Sequence, residues 1–207
     1  ITPVGNAHDR ISDLAGQLPV VMVDRYVDAD DMNYIILDNH MATYDAVKHL
    51  NSKGYKKIGI IGYKTDMLHI KDRFQGYVDA LAEYLPEATP IIGEVQFQSI
   101  DEDIERLLDE YLENAQLDAI IFATNSLTIA GLYYCQRKNI RIPKQLAIIG
   151  FDGNVAFDFF YAPLTYIRQP VKDIGEMAVK ALLDTMKNNS NTLQKRLSAE
   201  LIIRAST

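Results

Sequence analysis

The chain has 207 residues, 48% of them hydrophobic, and a formal net charge of -7. This content suffices to bury one sizeable core or two smaller lobes. No apolar run approaches the roughly 20 residues of a membrane span, and the first residues show no basic-then-apolar export signal. The negative charge disfavours a general phosphate-binding surface, so the chain is expected to bind DNA poorly by itself.

Five apolar runs of strand length recur along the chain and predict strands that are buried on both faces. They are residues 20–23, 34–37, 57–61, 119–122 and 146–149. Near the end, residues 188–192 form a polar segment that predicts a loop. The residues from Lys195 to Ala205 then predict one final strand.

Stretches with helical spacing lie between most of these strands. Their apolar positions are Ala42, Ala46, Val47 and Leu50, then Phe74, Tyr77, Val78, Leu81 and Leu85, then Ile104, Leu107, Leu108, Tyr111 and Leu112. The alternation of strand and helix predicts an α/β fold in which parallel sheets are flanked by helices.

Residues that punctuate helices support this interpretation. Ser99 with Glu102 predicts a capping box at a helix start. Gly54 predicts a helix end near Lys53, and Pro143 predicts another helix end near Asn139.

Open parallel sheets place their binding crevice beyond the carboxyl ends of the strands. Polar residues directly behind an apolar strand are therefore the first candidates for function. They are Asp24 and Arg25, Asp38 and Asn39, the segment after Gly62, residues 123–125 and residues 150–152.

Patterns typical of catalysis or metal binding are not found. The sequence has no GxSxG, GxxxxGK[ST], HExxH or CxxC motif, and its four histidines are not at ligand spacing on one element. We therefore predict no enzyme activity, no cofactor and no metal. The single cysteine, Cys135, lies in an apolar stretch and predicts a buried small hydrophobe, which fits a reducing cytoplasm.

Runs of carboxylates are interpreted as solvated loops or helix starts rather than as metal ligands. These runs are Asp28, Asp30 and Asp31, and Asp101, Glu102 and Asp103.

Several segments, taken in order, resemble the effector domain of LacI/GalR transcription regulators. They are PVVMVDR (19–25), LDN (37–39), AVKHL (46–50), GYKKI (54–58), DRFQGY (72–77), FATNS (122–126), IP (142–143), IGFD (149–152), PLTYIRQP (163–170) and ELIIR (200–204). The ordered set covers essentially the whole chain. The segment at 163–170 is more typical of regulators than of the periplasmic sugar receptors that share their fold.

The resemblance implies a two-lobed periplasmic-binding-protein-like (type I) fold with an incomplete first lobe. Residues 1–39 with 170–197 would form this partial lobe, and residues 40–169 with 198–207 would form the second lobe. It further implies a cytoplasmic homodimer that binds a small-molecule effector, by default a sugar and less commonly a nucleobase. Operator DNA would be contacted through a helix-turn-helix domain that this sequence does not contain, and no membrane partner is implied.

The resemblance also assigns three effector contacts. Arg73 matches the family's ligand-binding arginine, although a surface ion pair with Asp72 or Asp79 is the simpler interpretation of composition alone. Asn125 matches a contact at a helix start, where it could equally be an N-cap. Asp152 matches an acid that accepts hydrogen bonds from ligands, where an Asx-turn is the alternative. Ser126 and Gly153 replace acids that are common in the family.

Three further residues are candidates with open alternatives. Asp38 contacts ligand or only ties the crossover between lobes. His69 is predicted on a loop, as a ligand contact or as an exposed histidine. Phe97 is predicted at a strand end, as an aromatic platform for a sugar or base or as part of the core. The aromatic residues Phe157, Phe159, Phe160 and Tyr161 could line the crevice, a dimer face or the core.

Two rival functions remain open at this stage. One is a soluble sugar receptor of a transport system, which an upstream signal peptide would indicate. The other is an enzyme on a doubly wound sheet, which turnover of a bound sugar would establish.

Overall fold

The computed structural model describes residues 1–3, 8–27, 31–187 and 192–207. Two segments of the sequence-based predictions lie outside the described residues, namely Asp28 with Asp30, and residues 188–191 of the polar loop. Within the described part, no helix is long and apolar enough to cross a membrane.

Helices and strands alternate along most of the chain. The helices are α1 (His8–Ala15), α2 (Asn39–Ser52), α3 (Leu68–Tyr84), α4 (Ile100–Glu110), which continues as a π-helical turn (Tyr111–Ala115), α5 (Asn125–Arg137), α6 (Ala156–Phe159) and α7 (Val171–Met186). The strands are β1 (Val21–Val23), β2 (Asn33–Leu37), β3 (Ile58–Tyr63), β4 (Ile91–Val95), β5 (Ala119–Phe122), β6 (Ala147–Phe151), β7 (Thr165–Arg168), β8 (Gln194–Leu197) and β9 (Glu200–Ile202).

The larger sheet has the strand order β4-β3-β5-β6-β7-β9 and is parallel except for β9, which runs antiparallel to β7. Helices cover both of its faces: residues of α2 and α3 form one core with it, and residues of α4 and α5 form another. Every residue of β3, β5 and β6 is buried as a result. The predicted parallel sheet flanked by helices is therefore confirmed.

The smaller sheet is parallel, with the order β1-β2-β8. Met22 of β1 packs in a cluster with Ile11 of α1, whereas Val21 and Ile35 pack with Ile174 of α7 on the other face. Each sheet thus has hydrophobic cores of its own.

The prediction of one strand from Lys195 to Ala205 is wrong. The chain makes two short strands here, and it leaves β2 of the smaller sheet to join β7 of the larger one. Ser198 and Ala199 make the crossing. Alternating polarity predicts an extended backbone, but it carries no information about which sheet a strand joins.

The predicted capping box at Ser99 is also wrong. Its hydroxyl donates to Asp103 Oδ2 at 2.9 Å, and that carboxylate accepts the backbone N–H of Gln96 at 3.0 Å. The acid one residue beyond Glu102 therefore ties down this helix start. The Gly54 prediction is confirmed, because Gly54 follows the last turn of α2 with a left-handed φ of 95°.

Helices α2 and α3 lie in unusually close contact at Gly76. A Cβ at this position would lie 2.0 Å from the backbone oxygen of His40 and 2.6 Å from Thr43 Oγ1. The same Thr43 hydroxyl donates to the backbone oxygen of Arg73 at 2.7 Å. The contact therefore sets where the start of α3 lies against α2.

We expect Gly76→Ala to lower the free energy of unfolding by about 3 kcal/mol, because the methyl group must push two helix backbones apart. The matched control is Gly175→Ala in α7, where nothing lies within 4 Å of the added methyl group. This control should raise stability by about 0.5–1 kcal/mol, the usual gain for alanine in a helix. Urea denaturation measures both, and equal effects would disprove the close contact.

Candidate functional site

Arg73 is a buried cation near the carboxyl ends of β2, β5 and β6, with only 4% of its surface exposed. Its Nε donates to Asn39 Oδ1 at 2.8 Å and its Nη1 to the backbone oxygen of Ala123 at 2.5 Å. The guanidinium carbon lies 3.5 Å from the ring centroid of Phe151. Contacts with Asn39, Ala123 and Phe151 thus hold the guanidinium group in one orientation.

Burial lowers the pKa of Arg73 to about 10, while the negative charges of Asp152 and Asp24 act to raise it. The guanidinium therefore stays positive at neutral pH. The prediction of a surface ion pair with Asp72 or Asp79 is wrong for Arg73, because its guanidinium group points into the protein.

Asp152 and Asn125 lie side by side, as the sequence predicted for neighbouring strand ends. The Asn125 amide donates to the backbone oxygen of Asp152 at 3.4 Å. The Asp152 carboxylate accepts from Gln169 Nε2 at 2.6 Å, and its backbone has a left-handed φ of 62°. The N-cap of α5 is Thr124, whose hydroxyl accepts from the backbone of Leu127, so Asn125 is not the cap.

His69 departs from its prediction as a loop residue. It belongs to the first turn of α3, one helical turn before Arg73, and is only 7% exposed. Burial lowers its pKa to about 3, and the positive charges of Arg73 and Arg25 add to this effect. The ring is therefore neutral at physiological pH. Its Nδ1 is buried without a hydrogen-bond partner.

The smaller sheet contributes Asp24 and Arg25, directly after β1. Asp24 has a left-handed φ of 64°, which is uncommon for a residue with a side chain. Its Oδ2 lies 3.6 Å from Arg25 Nε, an ion pair but not a hydrogen bond. Arg25 Nε is buried and, like His69 Nδ1, has no hydrogen-bond partner.

One ion pair joins the two sheets at this place. Arg196 of β8 reaches Asp72 of α3, with 3.4 Å between Nη1 and Oδ2, and its Nη2 donates to the Tyr26 hydroxyl at 2.9 Å. Tyr26 in turn packs on Tyr34 at a ring-centroid distance of 4.9 Å. The pKa of Tyr26 is raised by burial and by Asp72.

Asp38 and Phe97 lie at the edges of this arrangement. Asp38 Oδ1 accepts the backbone N–H of Met41 at 3.1 Å, so it is the N-cap of α2. Phe97 lies beyond the end of β4 and stacks on Tyr63 at 4.1 Å with 48% of its surface exposed. Core packing is therefore wrong for Phe97, and an exposed aromatic face remains.

The aromatic run after β6 divides between core and surface. Phe157 is fully buried, whereas Phe159 is 83% exposed and Tyr161 is also exposed. With residues of α5 they line a groove of about 570 Å³. Its apolar wall includes Ile129 and Tyr133.

Polar groups that follow strands of both sheets thus lie near one another, and acids and arginines alternate among them. Within the described residues, no group of three histidine, cysteine or carboxylate side chains has the spacing of a metal site. The arrangement is suited to hydrogen bonding of a small polar molecule.

A family model described as periplasmic binding protein-like domain matches residues 47–207. The chain belongs to this family. Among curated proteins it is 32% identical to the HTH-type transcriptional repressor CytR of Escherichia coli K12 over 194 residues, which are 91% of this chain and 56% of that protein. It is 29% identical to the HTH-type repressor PurR of Aliivibrio salmonicida over 83% of this chain and 52% of that repressor.

A solved LacI-family regulator from Enterococcus faecium with bound ribose superposes with a TM-score of 0.83 at 23% identity, covering 99% of this chain and 75% of that one. This likeness supports the fold. The chain spans little more than half the length of the curated repressors that it matches. The family match and these relatives confirm the predicted resemblance to the effector-binding domains of LacI/GalR regulators.

Three residues of the site were not singled out as candidates from the sequence, namely Gln169, which donates to Asp152, and Tyr26 and Arg196 of the smaller sheet. Gln169 was visible as part of the PLTYIRQP segment, but no local pattern shows that it reaches Asp152. Arg196 lies in an edge strand of charged residues, where composition predicts solvated side chains.

The buried His69 predicts a loss of stability in acid. Its pKa is lowered from about 6.5 in the unfolded chain to about 3, so the unfolded state takes up the proton first as the pH falls. The stabilising contribution is complete above pH 6.5 and is lost between pH 6.5 and 3. At pH 5.5 the loss should be about 1 kcal/mol.

His69→Leu should remove this part of the pH dependence. Urea denaturation at pH 7.5, 6.5 and 5.5 of the wild type and the variant gives the difference directly. Parallel curves would show that His69 is protonated as easily in the folded state as in the unfolded state.

Proposed function

We propose that this periplasmic binding protein-like domain is the effector-binding core of a LacI-type transcription regulator. The observation that carries the proposal is the cluster of Arg73, Asn125 and Asp152 at the carboxyl ends of the larger sheet, facing Asp24 and Arg25 of the smaller one. Such strand ends are where open α/β sheets bind ligands. Relatives that are transcriptional repressors favour regulation over a role as a transport receptor.

The two sheets belong to two lobes in this proposal. Residues 1–39 with 170–197 form the first lobe, and residues 40–169 with 198–207 form the second. The separate hydrophobic clusters of the two sheets support this division. The effector binds between the lobes and favours one closure state by a few kcal/mol, the usual size of an allosteric coupling.

Regulation would then reach DNA through a helix-turn-helix segment outside this sequence, in a cytoplasmic protein. The effector is a small polar metabolite, with a sugar as the first choice and a nucleobase as the second. Its hydroxyl or ring nitrogen groups would bind to Asp152 and Asn125 and to the guanidinium group of Arg73.

The proposal predicts specific binding that depends on these side chains. D-ribose, D-glucose, D-galactose, cellobiose, adenine and guanine are screened by thermal shift on the protein that contains this chain, and the best binder is measured by calorimetry. Asp152→Asn and Arg73→Lys should each weaken its affinity at least tenfold, since each removes part of a directed hydrogen-bond pair.

The control is Asp45→Asn on the exposed side of α2, which makes the same chemical change away from the cleft. It should leave affinity unchanged. Binding that survives both site variants would show that the ligand lies elsewhere, and failure of every compound to bind would refute the proposed effector class.

We further propose that the protein is a homodimer and that the exposed groove along α5 and α6 faces the second copy. Phe159, Tyr133 and Tyr161 line this groove and expose 83%, 64% and 65% of their surfaces, and contiguous exposed apolar side chains often mark an interaction site. Aromatic residues are also enriched at protein interfaces.

Phe159→Ser combined with Tyr133→Ser should shift the protein from dimer to monomer in sedimentation velocity experiments. The control is the double substitution Val179→Ser and Leu183→Ser on α7, which removes comparable exposed apolar surface outside the groove. A dimer that survives the groove variant and dissociates in the control would place the interface on α7.

A further inference from the structure

One side chain of the smaller sheet reaches a helix of the larger one. Arg196 lies in β8, which pairs with β2, and its Nη1 is 3.4 Å from Asp72 Oδ2 in α3. Helix α3 packs on the larger sheet, and each sheet has hydrophobic clusters of its own. The ion pair therefore joins two bodies that are otherwise packed separately.

Aromatic residues of the smaller sheet hold Arg196 in place. Its Nη2 donates to the Tyr26 hydroxyl at 2.9 Å, and its guanidinium carbon lies 5.4 Å from the centroid of the same ring. The Tyr26 ring packs against Tyr34 of β2 at a centroid distance of 4.9 Å. Because these contacts orient the guanidinium group, the ion pair loses less side-chain entropy than an isolated surface pair does.

The position of Asp72 connects this ion pair with the candidate site. Asp72 directly precedes the buried Arg73 in α3, so the pair forms beside a proposed effector contact. A separation of the two sheets at this place would part Arg196 from Asp72. It would also move Asp24 and Arg25 of the smaller sheet away from Arg73. The ion pair thus belongs to the closed arrangement, in which the polar groups of both sheets lie near one another.

The ion pair is weak enough to be reversible. Its two side chains are 40% and 26% exposed, and 3.4 Å is long for a hydrogen bond between charged groups. A partly exposed pair of this kind shifts an equilibrium by no more than about fivefold. A bias of this size leaves the relative position of the sheets under the control of a bound small molecule, whereas a much stronger contact would hold one arrangement permanently.

We propose that Arg196, Asp72 and Tyr26 form a latch that favours the closed arrangement of the two sheets in the ligand-free protein. Salt bridges between moving bodies are a common device of conformational switches. The latch acts on effector affinity through the fraction of molecules that are closed. It rests on the proposed function in one respect, since the closed arrangement is taken as the one that binds the effector.

The first test measures closure without a ligand, on the protein that contains this chain. Lys53→Cys on α2 and Lys180→Cys on α7 place one spin label on the exposed surface beside each sheet. Cys135 does not react with the label, because it is buried and its pKa is raised to about 12 by burial. Double electron–electron resonance then gives the distance between the labels. Dilution with unlabelled protein removes the distances between copies.

Arg196→Gln and Asp72→Asn should each add a population with an altered label distance, because the open arrangement becomes more frequent. The control is Arg137→Gln, which breaks an exposed ion pair of 3.1 Å with Glu105 between two helices of the larger sheet. This control should leave the distances unchanged. The latch is refuted if Arg196→Gln and Asp72→Asn leave the distances unchanged, or if Arg137→Gln changes them as much.

The double variant Asp72→Asn with Arg196→Gln separates a shared contact from two independent effects. It should be no more open than Arg196→Gln alone, since either substitution removes the same ion pair. Additive opening would show that the two side chains act separately, and the latch would then be wrong.

The second test uses the best binder among the six sugars and nucleobases of the screen. Arg196→Gln should weaken its affinity about two- to fivefold. Raising NaCl from about 0.05 M to about 0.5 M should weaken wild-type affinity more than that of Arg196→Gln, because salt screens the pair. Tighter binding by Arg196→Gln would show that the latched arrangement is not the binding one, and the latch proposal would fail. If no compound binds but the label distances change as expected, the proposed function fails and the latch stands.

Discussion

The burial of one positive charge governs how this site is built. A guanidinium that has lost its water must receive hydrogen bonds and a nearby negative charge from the protein, or it destabilises the fold. Arg73 donates hydrogen bonds to Asn39 at the start of α2 and to the backbone at the end of β5, and it packs on the ring of Phe151. The nearby negative charges are those of Asp152 and Asp24. Helix α3 approaches α2, which carries Asn39, so closely at Gly76 that even a methyl group does not fit, and Thr43 of α2 donates to the backbone oxygen of Arg73. The packing of α3 on α2 therefore also determines where Arg73 lies in the site.

The contacts between the two sheets are of a different kind. The ion pair of Arg196 and Asp72 is partly exposed, and pairs of this kind contribute between 0 and about 1 kcal/mol. Each sheet buries its own apolar residues, so a change in their relative position would expose little of either core. A ligand held by groups of both sheets can consequently shift such an arrangement with the few kcal/mol that small-molecule binding supplies. Weak direct contacts across the cleft thus favour control by an effector.

Most of the fold could be predicted from the sequence because buried parallel strands are nearly continuous apolar runs. The strand Ala119–Phe122, for example, has the bounds that the sequence predicts. Arg73, Asn125 and Asp152 were reached through a resemblance between ordered motifs. The pairing of Arg73 with Asn39 could not be predicted, although Asn39 is itself a strand-end candidate, since the two residues are 34 positions apart and only tertiary packing joins them. His69 was misplaced because one polar residue before an apolar stretch indicates a loop as readily as a first helical turn. The division of the last strand into β8 and β9 could not be predicted, because hydrophobic periodicity does not indicate which strand an extended segment pairs with.

Several departures from sequence rules lie at the candidate site, and this has a physical meaning. Asp24 and Asp152 both adopt left-handed backbone angles directly after a strand, on opposite sheets, whereas the other two left-handed non-glycine residues of the described part, Gln116 and Asn139, follow helical segments. The two buried side-chain atoms without a hydrogen-bond partner belong to Arg25 and His69 of the candidate site. Each such feature costs about 1–3 kcal/mol, and nothing in the hydrophobic cores requires it. Proteins retain backbone strain and unpaired polar groups at places where binding of a partner compensates the free-energy cost. A polar group without a partner in the free protein then forms its hydrogen bond only in the complex. In the proposed effector site, the stability that the domain forgoes at these positions would be recovered through hydrogen bonds to the bound molecule.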